Sequence, residues 1–427
     1  LQRILNPFVL VVSAILLAGY AYLAWRLTSS APERLALAAP VLMAWSIPVV
    51  YWVGGRERTG TIDELVHGLG YLSVAWLNFV MVLTVARDVL FLVTGALPPL
   101  AGAHAALHDA GVAWVVVGAL AALAAGALAA LRGPRIRRVD VPIEGLHDEL
   151  EGFRIVQISD LHVGPTIRAA YVRRVVEMTH RLTPDLIALT GDIVDGSVQR
   201  LADHVAPLAE LGRTGRAFLV LGNHDYYAGA TVWTARFEAI GLRVLRNSHA
   251  VVEHGVARLV VGGVIDFAAR HSDPDARPRP DLAADGAAGA AVRLLLAHNP
   301  KIAPAAERAG FDLQLSGHTH GGQFFPWTLA IHLVHGPHAA GLSRRGRMWV
   351  YVSAGTGTWG PPVRFGTTPE LTLLRLVRSP VAGAVRATRR RRAWATPGPR
   401  PWRVAWRRPC VGASSSRTAG RAPSRST

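Results

Sequence analysis

The chain has 427 residues, 50% of them hydrophobic and 18% charged, with a mean hydropathy of +0.26 and a formal net charge of +17. That composition excludes a uniformly disordered chain, and positive hydropathy beside so basic a balance implies that apolar and charged segments are kept apart along the sequence. Lys301 is the one lysine and Cys410 the one cysteine. No intramolecular disulfide can form, and any metal must be held by His, Asp, Glu or Asn.

Four uncharged runs come first: Phe8 to Trp25, Leu35 to Val53, Leu65 to Ala86 and Gly111 to Leu131. Each approaches or reaches the length at which a helix crosses about 30 Å of hydrocarbon. Residues 1–138 are therefore expected to form a four-helix transmembrane region with both ends on one side. The first run is read as a retained span, because further apolar runs follow it where a cleaved leader would be followed by soluble sequence. Arg132, Arg135, Arg137 and Arg138 crowd the end of the fourth run, and Arg56 and Arg58 lie between the second and third. This bias predicts that side to be cytoplasmic. Arg87 beside Asp88 is read as an interfacial helix end more readily than as an ion path.

A linker is expected over 139–152, and from 153 to 377 the pattern becomes α/β. Arg154 to Ser159, Asp185 to Thr190, Ala217 to Leu221, Val292 to Ala297 and Leu313 to Ser316 read as buried strands. Ile167 to Leu182, Arg200 to Leu211, Val232 to Ile240 and Ile302 to Ala309 read as helices. Further strands at 250–253, 257–264, 349–352 and 371–377 exceed one parallel sheet, so two packed sheets flanked by helices are predicted.

Each of the five main strands runs into a polar cluster: Asp160-Leu-His162, Gly191-Asp192 with Asp195, Gly222-Asn223-His224-Asp225, His298-Asn299, and Gly317-His318-Thr-His320. Carboxyl ends of strands are where open α/β sheets place their chemistry. So many buried acids, amides and imidazoles would be costly to desolvate unless cations bind among them. Two divalent ions would supply the charge, and imidazole with carboxylate suits Mn, Fe, Zn, Ni or Co.

The blocks SDLHVG, LTGDIVDG, LGNHDYY, LAHNP and LSGHTHGGQ resemble the calcineurin-like metallophosphoesterase superfamily, and within it the membrane-associated branch of YkuE- and YaeI-type phosphodiesterases and transmembrane metallophosphoesterase-domain proteins. The resemblance covers roughly Phe153 to Leu376. It implies that Asp160, His162 and His320 hold one metal, that Asn223, His298 and His318 hold the other, and that Asp192 bridges them. It further implies that His224 faces the scissile phosphate, that Asp195 orients it, and that Asp225 stands behind the ligands.

Together these readings predict a multi-pass protein of the cell membrane with a cytoplasmic two-metal phosphoesterase domain. Its partners would be the bilayer and a phosphodiester or pyrophosphate substrate, lipid-linked in the leading reading; no nucleic acid and no obligate protein partner are expected. Two alternatives stay open: a phosphomonoesterase or nucleotide phosphodiesterase localised by its anchor, and a non-catalytic membrane sensor of metal or phospholigand. Gly321, Gly322 and Gln323 form a turn that either approaches phosphate or needs glycine for its backbone alone. Asp266 to Ala291 either overlies the site or is a mobile insertion. Phe324, Phe325, Trp327 and Ile331 to Val334 offer apolar surface for core, acyl chain or bilayer. Residues 378–427, with twelve arginines from Ser379 onward and no acid, are expected to be a disordered tail.

Overall fold

The computed structural model describes residues 6–53, 60–286, 289–379 and 402–405. Four long helices open the chain: α1 (Pro7–Leu27), α2 (Ala31–Ser46, continued by a π-helical stretch Ile47–Val53), α3 (Thr61–Ala96) and α4 (Ala101–Leu131). All four are long and apolar enough to cross a membrane. α3 and α4 outrun the uncharged stretches that announce them. Asp63 and Glu64 occupy the first turn of α3, where acids suit the positive end of the helix dipole, so the helix begins before its apolar run does. Between α1 and α3, Asp88 accepts from Arg26 Nε and Nη2 and from Tyr22 Oη, each at 2.7 Å, while Arg87 Nη1 donates to Arg26 O. These polar groups are occupied with one another, as an interfacial helix end requires.

The α/β body starts earlier than expected. Arg135–Ile143, assigned in part to the linker 139–152, is strand β1, paired in parallel with a later strand near the end of the body. Arg135, Ile136, Arg137, Arg138 and Asp140 are exposed and only Val141 and Ile143 bury fully, in keeping with a strand at the edge of its sheet. There follow β2 (Arg154–Ile158), α5 (Ala169–Arg181), β3 (Leu186–Leu189), α6 (Val198–Val205), α7 (Ala209–Gly212), β4 (Ala217–Leu219), α8 (Asn223–Tyr227), α9 (Ala230–Ala239) and β5 (Arg243–Val244). The second half comprises β6 (Ser248–His254), β7 (Ala257–Gly263), α10 (Pro280–Ala284), β8 (Val292–Leu296), α11 (Ala303–Arg308), β9 (Leu313–Ser316), α12 (Trp327–His335), β10 (Gly341–Arg345), β11 (Met348–Val352) and β12 (Glu370–Arg378). A last strand, β13 (Trp402–Ala405), lies within the segment expected to be a structureless tail and pairs antiparallel with β6.

Two sheets result, ordered β1-β12-β2-β3-β4-β5 and β10-β11-β9-β8-β7-β6-β13. β2, β3, β8 and β9 are mainly apolar, with Arg154, Gln157, Arg293, Gln314 and Ser316 as the exceptions, because both of their faces are covered. Ile155, Leu186 and Phe218 of one sheet meet Leu259, Leu294 and Leu313 of the other. On the outer face of the first sheet, Val156, Ile187 and Leu219 pack under α5, α6 and α9. α5 presents Val172, Val175, Val176 and Thr179 to that core at helical spacing. Ala303 and Ala306 of α11 cover Leu295 and Val350 on the far side, which completes a helix-sheet-sheet-helix sandwich.

Candidate metal centre

Parallel pairing sets β2, β3 and β4 side by side in one sheet and β8 beside β9 in the other. Their carboxyl ends meet at one edge of the sandwich. The backbone turns sharply there: Asp160, His162, Asp192, His318 and His320 have φ between 50° and 73°. A left-handed conformation costs a non-glycine residue about 1–2 kcal/mol, so five such residues persist only where their surroundings fix them. Asp160 N donates to Gly191 O at 2.9 Å, His162 N to Asp192 O at 3.0 Å, and His318 N to Asp160 Oδ1 at 2.9 Å. The glycines of the motifs permit this crowding. A Cβ on Gly317 would strike Ser159 Oγ and Asp160 Oδ2, and one on Gly222 would strike Asp192 Oδ1.

Two groups of donors could each hold an ion. Asp160, His162 and His320 form the first, and Asp192, His298 and His318 the second, with the donor atoms of each group within 4.8 Å of one another. His162 Nε2 and His320 Nε2 face each other at 3.0 Å. Asn223 Oδ1 lies 3.0 Å from His318 Nδ1 and 3.2 Å from His298 Nε2. Asp192 stands between the groups, its Oδ2 3.1 Å from His298 Nε2 and 3.8 Å from His162 Nε2. His162, Asp192 and His224 also fall within one such cluster. The residues that the sequence singles out are therefore assembled at one place.

The donor chemistry fits a cation. His298 Nδ1 donates to Thr190 O at 2.8 Å, so a neutral ring turns its Nε2 lone pair on the Asp192 and Asn223 oxygens, with no hydrogen among the three. Burial opposes a charge on this ring, but the Asp192 carboxylate outweighs burial and raises the His298 imidazole well above its usual range, so the site favours positive charge at that point. His318 is pushed the other way, to about 3, by burial and by His298 beside it. It is thus neutral, as a ligand must be. Burial and the proximity of His162 likewise hold His320 well below its usual value.

Asp195 binds two imidazoles at once. His162 Nδ1 lies 3.0 Å from both of its oxygens and His224 Nδ1 lies 2.7 Å from Oδ1. Burial would raise this carboxyl, yet His162 and His224 hold it far below the usual range. For His224, burial is opposed by Asp195, which pushes the imidazole up to about 9. Asp225 accepts from Ile193 N, Val194 N and Gly222 N, which ties the loop after β3 to the loop after β4. Burial and the nearby Asp192 push it up to about 7 despite those three donors.

The sequence reading missed Arg364, which is 1% exposed. Its guanidinium donates to the carbonyl oxygens of His320, Ala354 and Gly357, and so holds the His320 turn against the loop after β11. No motif surrounds it; a lone arginine before Phe365-Gly366 carries no signal in a chain this rich in arginine. Gln323 is also fixed. Its Nε2 donates to Trp359 O and Pro361 O and its Oε1 accepts from Trp359 N, so the turn after His320 is a rigid brace.

A cavity of about 940 Å³ opens beside this edge. His162, Asp195 and His224 form its floor, and Arg200, His204, Tyr227, His271 and Trp359 line its sides. His271 belongs to the segment 266–291, whose first turn thus reaches the cavity. Another part of its wall comes from the apolar helices: Asn6 and Phe8 at the start of α1, and Glu64, His67 and Tyr71 of α3. Glu64 Oε2 accepts from Arg168 Nη2 at 2.5 Å across this junction.

The calcineurin-like phosphoesterase family model matches residues 153–322. A "Transmembrane protein with metallophosphoesterase domain" from Danio rerio is 35% identical over 255 residues, covering 58% of this chain and 58% of that protein. An uncharacterised metallophosphoesterase of Helicobacter pylori strain J99 is 34% identical over 249 residues, covering 58% of this chain and 65% of its own length. The uncharacterised metallophosphoesterase YkuE of Bacillus subtilis is 30% identical over 277 residues, covering 61% of this chain and 95% of that protein. The chain thus matches less than two thirds of the first two relatives and nearly all of the third.

Proposed function

Since the chain belongs to the calcineurin-like metallophosphoesterase family, we propose that it is a membrane-anchored two-metal phosphoesterase that hydrolyses a phosphodiester or pyrophosphate bond in a lipid-linked substrate. In this reading all four apolar helices span the cell membrane, and the arginine-rich side, with the α/β body, is cytoplasmic. One observation supports it above the others. The cavity over His224 is walled jointly by residues of the metal-binding edge and by Phe8, Glu64, His67 and Tyr71 of the apolar helices. A substrate entering there meets the anchor and the catalytic edge together.

Asp160, His162 and His320 would hold one divalent cation and Asn223, His298 and His318 the second, with Asp192 shared. Bound there, the two ions would neutralise the phosphate oxygens and lower the pKa of the attacking water. His162 is turned by Asp195, which accepts a hydrogen bond from its Nδ1–H and leaves Nε2 free to ligate. The same carboxylate holds His224 by Nδ1, so its protonated Nε2 can donate to the leaving oxygen. Asp225 keeps Asp192 and His224 in register by fixing the backbone on either side. Trp359 and Tyr227 stand edge-on to the His224 ring, at 5.8 and 5.7 Å between centroids, and flank it on the cavity wall.

The test is hydrolysis by the full chain in detergent, stripped of metal and resupplied with Mn, Zn, Fe, Ni or Mg. Bis-aryl phosphodiester, aryl monoester and a long-chain phospholipid would be compared, with Asp192→Ala as control. Metal-dependent cleavage that favours the diesters and is absent in the control is expected. Monoester preference would refute the bond assignment, and a folded, metal-loaded chain without turnover on any of the three would refute the enzyme reading.

A further inference from the structure

α12 has no buried residue, although its sequence is WTLAIHLVH. Leu333 is 90% exposed, and Trp327, Leu329 and Val334 are more than half exposed. An apolar patch of this kind on a soluble surface marks an interaction site. What covers it follows from where α12 is attached.

The attachment is to α3. Trp327 Nε1 donates to Asn78 Oδ1 at 3.1 Å, and Asn78 Nδ2 donates to Phe325 O at 2.9 Å. Next to Asn78, the Phe79 ring meets Phe365 edge-on at 5.4 Å and Phe324 at 6.1 Å. Arg364 N also donates to Gly126 O of α4. At its outer end the bundle's apolar zone is bounded by Arg26 and Arg87 with Asp88. At the inner end the polar cavity lined by Glu64, His67 and Arg168 reaches as far as Tyr71 and sets the other limit. Along α3 the distance from Tyr71 to Arg87 is about 24 Å at ~1.5 Å per residue, close to the thickness of a hydrocarbon core. Asn78 and Phe79 sit inside that zone, roughly 10 Å beyond its inner edge. An amide at this depth is costly unless hydrogen-bonded, and the segment leading into α12 supplies both of its partners.

We infer that α12 is embedded in the membrane leaflet on the α/β side, with Leu329, Leu333 and Val334 against lipid acyl chains and Trp327 anchored to α3. Nine residues are too few to span, so the helix lies within one leaflet. Its far end returns to the metal-binding edge: the His335 ring is 6.0 Å from that of His318. A single short helix thus joins the leaflet to the candidate centre. The inference rests on the anchor being in a bilayer, but not on catalysis.

Nitroxide labels test it on the full chain carrying Cys410→Ala, reconstituted in phosphatidylcholine–phosphatidylglycerol vesicles. Leu333→Cys and, separately, Val334→Cys are labelled and their collision rates with oxygen and with a water-soluble nickel chelate are compared. Leu17→Cys on α1 serves as the bilayer reference and Val256→Cys, on the exposed turn between β6 and β7, as the water reference. Positions 333 and 334 should match Leu17→Cys, with an oxygen-to-nickel ratio several-fold above that of Val256→Cys. Values like those of Val256→Cys would overturn the proposal while leaving the anchor intact. Low access to both reagents would overturn it in favour of a protein partner or a second copy of the chain. Water-like values at Leu17→Cys would refute the anchor, and the proposal with it.

Discussion

The Arg364 guanidinium, almost fully buried, donates through Nη1 to the carbonyl oxygen of His320 at 2.9 Å. The same nitrogen donates to Ala354 O at 2.7 Å, and Nη2 donates to Gly357 O at 2.5 Å. His320 itself has φ of 51°, so its turn is held in an unfavourable conformation by these bonds. Arg364→Met keeps much of the volume and removes every donor, leaving several buried carbonyls unsatisfied at about 1–3 kcal/mol each before relaxation. The full chain in detergent should melt at a lower temperature and bind less metal. An unchanged melting temperature and metal content would show that the carbonyls find other donors. Arg364→Lys should rescue little, because an ammonium cannot span the separated carbonyls as a planar fork does.

Asp195 serves two imidazoles, and this separates its expected phenotype from that of His224. His224→Ala removes a group that touches the cavity, and turnover should fall by about 10²–10⁴-fold with metal content retained. Asp195→Asn disturbs His162 as well, so metal affinity should fall too, by about 10–100-fold, as for other groups that orient a ligand histidine. Activity measured beside metal content by elemental analysis distinguishes them. If His224→Ala loses metal as readily as Asp195→Asn, then His224 is a ligand, as its grouping with His162 and Asp192 also allows.

Removing metal should destabilise the α/β body. Asp160, Asp192, His162, His298 and His320 are all buried at one edge, and a cation that binds only the folded chain stabilises it by about 2.7 kcal/mol at a hundredfold excess over its dissociation constant. Chelation should therefore lower the melting temperature, and re-addition of Mn or Zn should restore it. Asp192→Ala should show neither response. A melting temperature indifferent to chelator in a chain verified to have carried metal would contradict the fit argued from His298.

The legible parts of the sequence were those in which one physical demand dominates. β2, β3, β8 and β9 are covered on both faces, so they read as short, mainly apolar runs that lead into Asp and His. β1 was obscured because its arginines at 135, 137 and 138 coincide with the basic cluster that follows a membrane helix, and one cluster served two purposes. The inner turns of α3 were lost because an uncharged-run criterion stops at Glu64, although the helix dipole favours an acid there. Arg364 and Asn78 were invisible because each acts through contacts far away in the chain, with His320 and Trp327 respectively. The motifs that form the site are local in sequence. What holds the site to the anchor is not.

The wall of the cavity formed by α1 and α3 gives a final expectation. Tyr71 packs against Gly360 and against the edge of His67, at 4.4 Å between ring centroids, and shares the cavity with Phe8. Neither Tyr71, His67 nor Phe8 belongs to any of the groups of metal donors. If a lipid-linked substrate runs between the anchor and His224, removing these aromatic surfaces should weaken binding of its apolar part, by roughly 1–3 kcal/mol per large side chain lost. Tyr71→Ala and Phe8→Ala should therefore raise KM for a long-chain phosphodiester by about tenfold or more, at 1.4 kcal/mol per tenfold, with kcat little changed. Hydrolysis of a small aryl diester should be unaffected, because it needs only the floor of the cavity. Equal losses on both substrates would mean that the helices support the metal-binding edge and take no part in recognition.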